Sequence, residues 1–189
     1  MMDSFLAFAA LILAPIALVL RQILASFSAQ RPQDYADGPK FDPRQHLNGP
    51  ILCEGVIYGP MGRVSTRFVA KMHGTWDGKY GVLREEFTYD SGAIAQREWR
   101  LTLVQDGHLR AEADDVIGAG SGAMAGGALQ LRYKLRLPPS AGGHVLSVND
   151  WLYVTPNGTL INRSQMRKFG IKVAELVATM RPSSGTKAA

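Results

Sequence analysis

Apolar and polar side chains alternate along most of the chain after Phe41. Four stretches show the pattern most clearly: residues 64–72, 95–103, 129–137 and 146–153. In each stretch the residues at every second position are mostly apolar, and the residues between them are mostly polar. Because successive side chains of a β-strand point to opposite faces, this period of two predicts antiparallel sheet with one buried face.

Turn signals separate these stretches at fairly regular intervals. They include Asp-Gly and Asn-Gly pairs in TWDGKYG, QDGH and TPNGT, which suit tight hairpins. The final segment, MRKFGIKVAELVATMR, fits a helix face or a strand, and we favour a strand because a barrel needs its last edge paired. We therefore predict an all-β fold, an up-and-down antiparallel barrel of about eight to ten strands, preceded by one N-terminal hydrophobic helix.

The N-terminal residues differ from this body. Residues 5–20, FLAFAALILAPIALVL, carry no charge, and extending them to Phe27 with Arg21 snorkelling gives the roughly 20 residues that a bilayer-spanning helix needs. We predict a membrane-anchor helix over residues 1–27, and a cleaved signal peptide is the alternative. Residues 28–40 are predicted as a linker, residues 41–181 as the barrel domain and residues 182–189 as a disordered tail.

A glycine-rich stretch, ADDVIGAGSGAMAGGAL, matches the dinucleotide fingerprint G-x-G-x-x-G/A at residues 118–123. That fingerprint works between a parallel strand and a helix, whereas a strand pattern follows it here. The sequence therefore argues against nucleotide binding. We predict a long hairpin connection instead, with residues 123–125 in a short turn across the barrel mouth, or with the connection as a flexible lid over a ligand cavity.

The composition limits which classes of partner and which kinds of chemical site the chain can have. The net charge is +5, but Lys and Arg are scattered, so an anionic membrane surface is a more natural partner than nucleic acid. Cys53 is the only cysteine, and the histidines (His46, His73, His108 and His144) lack metal-ligand spacing. No nucleophile motif is present. We therefore predict no metal, no cofactor and no catalytic residue.

For several candidate ligand contacts, the alternation predicts an inward orientation. Asp150 shares the parity of Val148, so it would be a buried carboxylate needing a partner such as Arg97 or Arg163. Such a pair would fix the strand register or anchor a ligand head group. Of Asp114 and Asp115, we expect one to cap the next turn and the other to pair with an arginine. The predicted ligand-binding residues are Arg97, Trp99, Asp115, Tyr133, Asp150, Trp151 and Arg163.

Several motifs together resemble the bacterial family catalogued as domain of unknown function 3833. They include GTWDG at 74–78, ADDVIG at 113–118, NDWLY at 149–153 and KFG at 168–170, within a similarity spanning residues 40–181. The resemblance implies a lipocalin-like barrel, a small lipoprotein-like protein of the Gram-negative envelope, and a link to enzymes that modify fatty acids. This chain departs from that pattern because no acylated cysteine follows its apolar run.

Three hypotheses follow for the function. The first is a membrane-tethered barrel that binds a lipid or fatty-acyl ligand; the second is an enzyme, or an accessory subunit to a lipid-modifying enzyme, acting on acyl chains. The third is a structural envelope module whose interior is filled by the heavy side chains of Trp99, Tyr133, Trp151 and Phe169. We expect a single-pass inner-membrane protein with a periplasmic body, although Arg21 and Arg31 favour a cytoplasmic body.

Overall fold

The computed structural model describes Leu11, residues 13–18, residue 20 and residues 26–183. The residues described before position 21 are helical, and their apolar side chains are exposed. Among the described residues, no helix combines the length and apolar character needed to cross a bilayer. The predicted anchor over residues 1–27 falls largely outside the described residues, as does the predicted tail from residue 184 onward.

Ten antiparallel strands form one closed barrel, in which each strand pairs with its neighbours in sequence and the first pairs with the last. This confirms the predicted up-and-down barrel and its final strand. The strands are β1 (Gly49–Tyr58), β2 (Val64–Asp77), β3 (Tyr80–Tyr89), β4 (Ile94–Val104), β5 (His108–Glu112), β6 (Gly120–Ala125), β7 (Ala128–Arg136), β8 (Val145–Val154), β9 (Leu160–Lys168) and β10 (Ile171–Pro182).

The alternation of side chains determines which of them fill the barrel. In β2, Phe68, Ala70 and Met72 are buried, whereas Lys71 and His73 between them are exposed. Toward one end of the interior, leucines on β3, β4, β5, β7 and β9 are almost inaccessible to solvent. Burial of these apolar side chains is the main contribution to stability, since each is worth about 1.5–3 kcal/mol.

This end of the barrel is closed by a short helix, α1 (Pro43–His46), and by Leu47. Asp42 caps α1 by accepting a hydrogen bond from the Arg44 amide. Trp76 Nε1 donates to the Leu47 carbonyl at 2.9 Å, and this hydrogen bond joins the segment that closes the barrel to β2. We call this the closed end of the barrel and the opposite end its mouth.

The predicted linker, residues 28–40, packs against the outside of the barrel. It contains a 3₁₀ turn at Pro32–Tyr35, and the Tyr35 ring lies 5.6 Å from that of Trp151 and 5.1 Å from that of Tyr153. The Tyr153 hydroxyl donates to Gln30 Oε1 at 2.9 Å. The segment therefore covers part of the outer face of β8, which no local sequence pattern indicates.

The glycine run forms barrel wall, which corrects the predicted mouth-crossing connection and lid. Residues Gly120–Ala125 are strand β6. A Cβ added at Gly122 would lie 2.9 Å from the Leu109 Cβ, so the missing side chain allows close approach of β5. The sequence also places Phe169 inside the barrel, whereas it lies in the β9–β10 turn with 93% of its surface exposed.

Candidate functional site

A cavity of about 910 Å³ lies inside the barrel, and its lining runs from Leu47 at the closed end to the connections at the mouth. Its rim includes Ala93 and Ile94 at the β3–β4 turn and Pro138 to Ala141 in the β7–β8 connection. Because Ile94 lines the cavity and is also 67% exposed, the cavity reaches solvent at the mouth. The volume lies in the range of small-molecule sites, which run from about 300 to 1,000 Å³.

The walls near the mouth are apolar and aromatic. Phe68, Phe87 and Tyr89 form a cluster in which the Phe68 and Phe87 centroids lie 5.4 Å apart and the Phe87 and Tyr89 rings stack at 6.2 Å. Ile57 and Leu176 line the same region and are only partly buried. Such a surface offers contact to an alkyl chain or ring rather than to a polar molecule.

Polar side chains form a belt midway along the interior. It consists of Glu85 on β3, Arg97 on β4, Tyr133 on β7 and Asp150 on β8, joined by Asp115 from the β5–β6 connection. We call these five residues the polar belt. Each belt residue on a strand occupies the same parity as the buried apolar residues of its own strand, which is why they converge.

The Arg97 side chain is the positive centre of this belt. Its Nε lies 2.9 Å from Asp115 Oδ2, and Nη2 donates to the same oxygen. The guanidinium also lies 5.4 Å from the centroid of the Trp99 ring, which meets Tyr133 edge to face at 5.2 Å. Asp115 Oδ1 is buried without a hydrogen-bond partner among the described residues, so the belt retains a free acceptor.

The Arg97–Asp115 pair closes a gap in the wall. β4 pairs with β5 only over Arg100–Val104, so the mouth half of β4 faces the β5–β6 connection instead of a strand. On the outside of the barrel, Arg100 Nη2 pairs with Asp114 Oδ1 of the same connection at 3.1 Å. Both aspartates therefore pair with arginines, which corrects the prediction that one of them caps a turn. A depression of about 580 Å³ on this flank also reaches Glu85, Arg97 and Asp115.

Asp150 lies on the opposite wall with neutral partners. Asn162 Nδ2 and Ser164 Oγ both donate to its Oδ1. Burial raises the pKa of this carboxyl, and that effect outweighs the hydrogen bonds from Ser164 and Asn162. Asp150 therefore does not form the predicted pair with Arg163 but pairs with Asn162 and Ser164. Arg163 lies between these two residues of β9 in sequence, so its side chain points outward.

Glu85 is the belt residue that the sequence analysis missed. Burial raises the pKa of its carboxyl from the ordinary value of 4.5 to about 7, although Arg97 opposes the shift. Glu85 shares the parity of Leu83 and Phe87, and that signal was available in the sequence. The neighbouring charges in LREEF conceal it, because an Arg-Glu-Glu run looks like a solvated strand face.

The structure brings five of the seven predicted ligand-binding residues to the cavity: Arg97, Trp99, Asp115, Tyr133 and Asp150. Trp151 and Arg163 lie outside it. Trp151 is completely buried beneath the N-terminal segment, stacked on Tyr153 at 5.6 Å. Arg163 Nε donates to Glu175 Oε1 at 2.7 Å on the outer face. Both are neighbours of inward-facing residues, so strand alternation turns them away from the cavity.

The protonation of Glu85 gives a pH test of the belt. Between pH 4.5 and about 7 the folded protein holds a proton on Glu85 that the unfolded chain has lost, so the free energy of unfolding falls as pH rises through this window. We expect Glu85→Gln to match wild type near pH 4 and to exceed it above pH 7 by on the order of 1–3 kcal/mol. Urea unfolding at a series of pH values measures this difference.

Glu86→Gln is the matched control for this measurement, because Glu86 is the next residue of β3 and is exposed. It should follow the wild-type pH curve throughout. Superimposable curves for wild type and Glu85→Gln would show that the carboxyl is solvated and that the belt has no buried acid at position 85.

Fold and cavity together define the class of the protein: a closed, ten-stranded, lipocalin-like meander barrel with one plugged end, one open end and an internal cavity. The chain belongs to the family described as protein of unknown function (DUF3833), whose model matches residues 21–182. No curated protein matches the sequence.

The chain is similar to solved structures. One is the S-type phycobiliprotein lyase CPES from Guillardia theta, with 8% sequence identity, a TM-score of 0.58, and coverage of 81% of this chain and 97% of the lyase. It also matches a redesigned β-barrel, mFAP1, bound to DFHBI, with 14% identity, a TM-score of 0.39, and coverage of 73% of this chain and 96% of that one. At these identities the likeness to the lyase supports the fold alone.

Within the part of the chain that the structure describes, no group of three His, Cys, Asp or Glu side chains is arranged to hold a metal ion. Cys53 is buried in the core, and burial raises the pKa of its thiol to about 12. The apolar walls of the cavity can contact an apolar group, and the polar belt can form hydrogen bonds with a polar one.

Proposed function

We propose that this protein is a membrane-tethered barrel that binds one lipid or fatty-acyl ligand in its cavity. The observation that carries the proposal is the cavity itself, about 910 Å³ of space with apolar walls, a polar belt midway along it and an opening at the mouth. An acyl chain lying along Phe68, Phe87 and Tyr89 would be removed from water at about 25 cal/mol per Å² of apolar surface. The same space counts against a filled structural module.

The tether in this proposal is the uncharged run at residues 5–20, followed by the segment that packs on β8. It would hold the barrel at the inner membrane, with the periplasmic orientation that the family resemblance implies. A tethered barrel meets lipids at high local concentration, so a modest intrinsic affinity is sufficient for occupancy.

The charge of the polar belt favours one kind of ligand head group. The belt contains three carboxyl groups and one guanidinium, and Arg97 is already engaged by Asp115. A fatty-acid carboxylate placed there would meet like charges without a free cation, which is costly at low dielectric. A neutral group that donates hydrogen bonds, such as a hydroxyl or amide, would satisfy Asp115 Oδ1 and the carboxyl of Glu85.

Displacement of a fluorescent fatty-acyl probe from the full chain tests this proposal. We expect a monoacylglycerol to displace the probe at concentrations on the order of tenfold lower than the fatty acid of the same chain length, because one unpaired like-charge contact is worth about 1–2 kcal/mol. The titration is run at pH 8, where the free carboxylate is ionised. Failure of the probe to bind at all would contradict lipid binding, and equal displacement would contradict the head-group preference alone.

A further inference from the structure

The mouth carries most of the exposed apolar side chains of the barrel. Met61, Ile94, Ile117, Val145, Phe169 and Ile171 are between 40% and 93% exposed, and they lie in or directly beside the five connections at that end. At the closed end only Tyr80 and Val104 are comparable among the described residues. An exposed apolar ring confined to one end of a molecule is the mark of an interaction surface.

Basic side chains cluster beside this ring at the ends of β7 to β10. The chain contains no Asp or Glu from residue 136 to 149 or from residue 164 to 174, whereas Arg136, Arg167, Lys168 and Lys172 lie there. Lys168 Nζ lies 3.0 Å from His144 Nδ1 and 5.7 Å from the centroid of the Phe169 ring, so charge and apolar surface are contiguous. We call Arg136, His144, Val145, Lys168, Phe169 and Ile171 the rim sector.

The one acidic side chain on the outer face of these strands is Glu175, and it is neutralised locally. It pairs with Arg163 and with Lys172, at 2.8 Å for Lys172 Nζ. Although burial opposes the change, Lys172 and Arg163 hold the pKa of Glu175 below its ordinary value. The rim sector therefore presents a positive, apolar surface without a competing exposed carboxylate in the described part of β7 to β10.

The N-terminal segment reaches the same flank of the barrel. The Phe27 ring lies 4.9 Å from the guanidinium of Arg163 on β9, and the segment runs from there toward Gly127 at the closed end. The apolar run that precedes Phe27 in sequence is therefore joined to the side of the barrel that carries the rim sector. An anchor and the rim sector on one flank can engage one membrane together.

We propose that the rim sector docks the mouth of the barrel onto an anionic phospholipid bilayer. Phe169, Ile171 and Val145 enter the interface, and Arg136 and Lys168 lie over the phosphate groups, where each basic residue near the surface improves binding roughly fivefold. The inference extends the proposed function, since it names the bilayer beneath the mouth as the source of the ligand. Docking itself requires no occupied cavity, so the two claims are tested separately.

A fluorescent probe that reports polarity tests the docking. The full chain carrying Ile171→Cys is labelled with an environment-sensitive dye and reconstituted into vesicles of phosphatidylcholine with or without phosphatidylglycerol. Cys53 does not compete for the dye, because its thiol is buried. In the anionic vesicles we expect a blue shift of the dye and protection of the dye from aqueous iodide. Adding Lys168→Glu should reverse both effects, because it should weaken the apparent affinity for anionic lipid on the order of tenfold.

The matched control is Val104→Cys, a β-branched residue 54% exposed at the closed end, which should remain quenched in every vesicle. Equal quenching at positions 171 and 104 would overturn the proposal. A blue shift at position 171 in detergent that grows with protein concentration would overturn it too, because it would assign the rim sector to a second copy of the chain. Acyl-probe binding measured on the same Lys168→Glu variant should be unchanged, which separates a failure of docking from a failure of ligand binding.

Discussion

Replacing Trp151 with alanine is expected to lower the free energy of unfolding by about 3–5 kcal/mol, the cost of removing a buried tryptophan. Trp151 has no exposed surface, and it lies between Tyr153, which it stacks on, and Tyr35 of the N-terminal segment. The loss should therefore also release residues 28–40 from the barrel. Urea unfolding measures the first effect, and limited proteolysis within residues 28–40 measures the second.

Trp151→Phe is the control for this substitution. Trp151 Nε1 has no hydrogen-bond partner among the described residues, so phenylalanine loses no hydrogen bond and keeps an aromatic ring in the stack. It should cost much less than alanine and leave acyl-probe binding unchanged, because position 151 lies outside the cavity. A cost below about 1 kcal/mol for Trp151→Ala would contradict the packing of the segment on β8.

The second large effect is expected from filling the cavity near its mouth. Ala95 lines the cavity and pairs with Phe87 across β3 and β4, so Ala95→Trp places an indole where the acyl chain would lie. Exclusion of about three methylene groups, at ~0.8 kcal/mol each, would weaken binding roughly 50-fold. Titration with the fluorescent acyl probe measures the loss, and the thermal midpoint should change little because the side chain enters open space.

Thr88→Trp provides the matched control, since Thr88 lies on the adjacent strand and its side chain is exposed on the outer face. It adds the same indole to the same end of the barrel without entering the cavity, and it should bind the probe like wild type. Unimpaired binding by Ala95→Trp would mean that the ligand does not occupy the cavity.

Strand parity accounts for most of what the sequence could predict. The period of two gives the meander, and it gives the inward orientation of Trp99, Tyr133 and Asp150, because each of these shares a face with buried leucines or valines. Parity alone would also have found Glu85. The charged residues on either side of Glu85 are typical of a solvated strand face, so its inward position is hidden in the local composition.

Contacts between segments distant in sequence account for the predictions that failed. Trp151 has outward parity, and only the packing of residues 28–40 explains why so large an aromatic side chain is buried there. The glycines of β6 resemble a loop, because the close approach of Leu109 to Gly122 is invisible in the sequence. The hypothesis of a filled barrel depends on Trp151 and Phe169 lying in the interior, and neither lies there.

Native mass spectrometry of the full chain, released from lipid nanodiscs without added ligand, tests the central claim most directly. If the mouth half of the barrel holds one acyl-bearing lipid, the wild-type chain and Thr88→Trp should each carry a single lipid mass, and Ala95→Trp should appear without it. A wild-type chain that appears only at its own mass, or an equal lipid adduct on Ala95→Trp, would contradict the account.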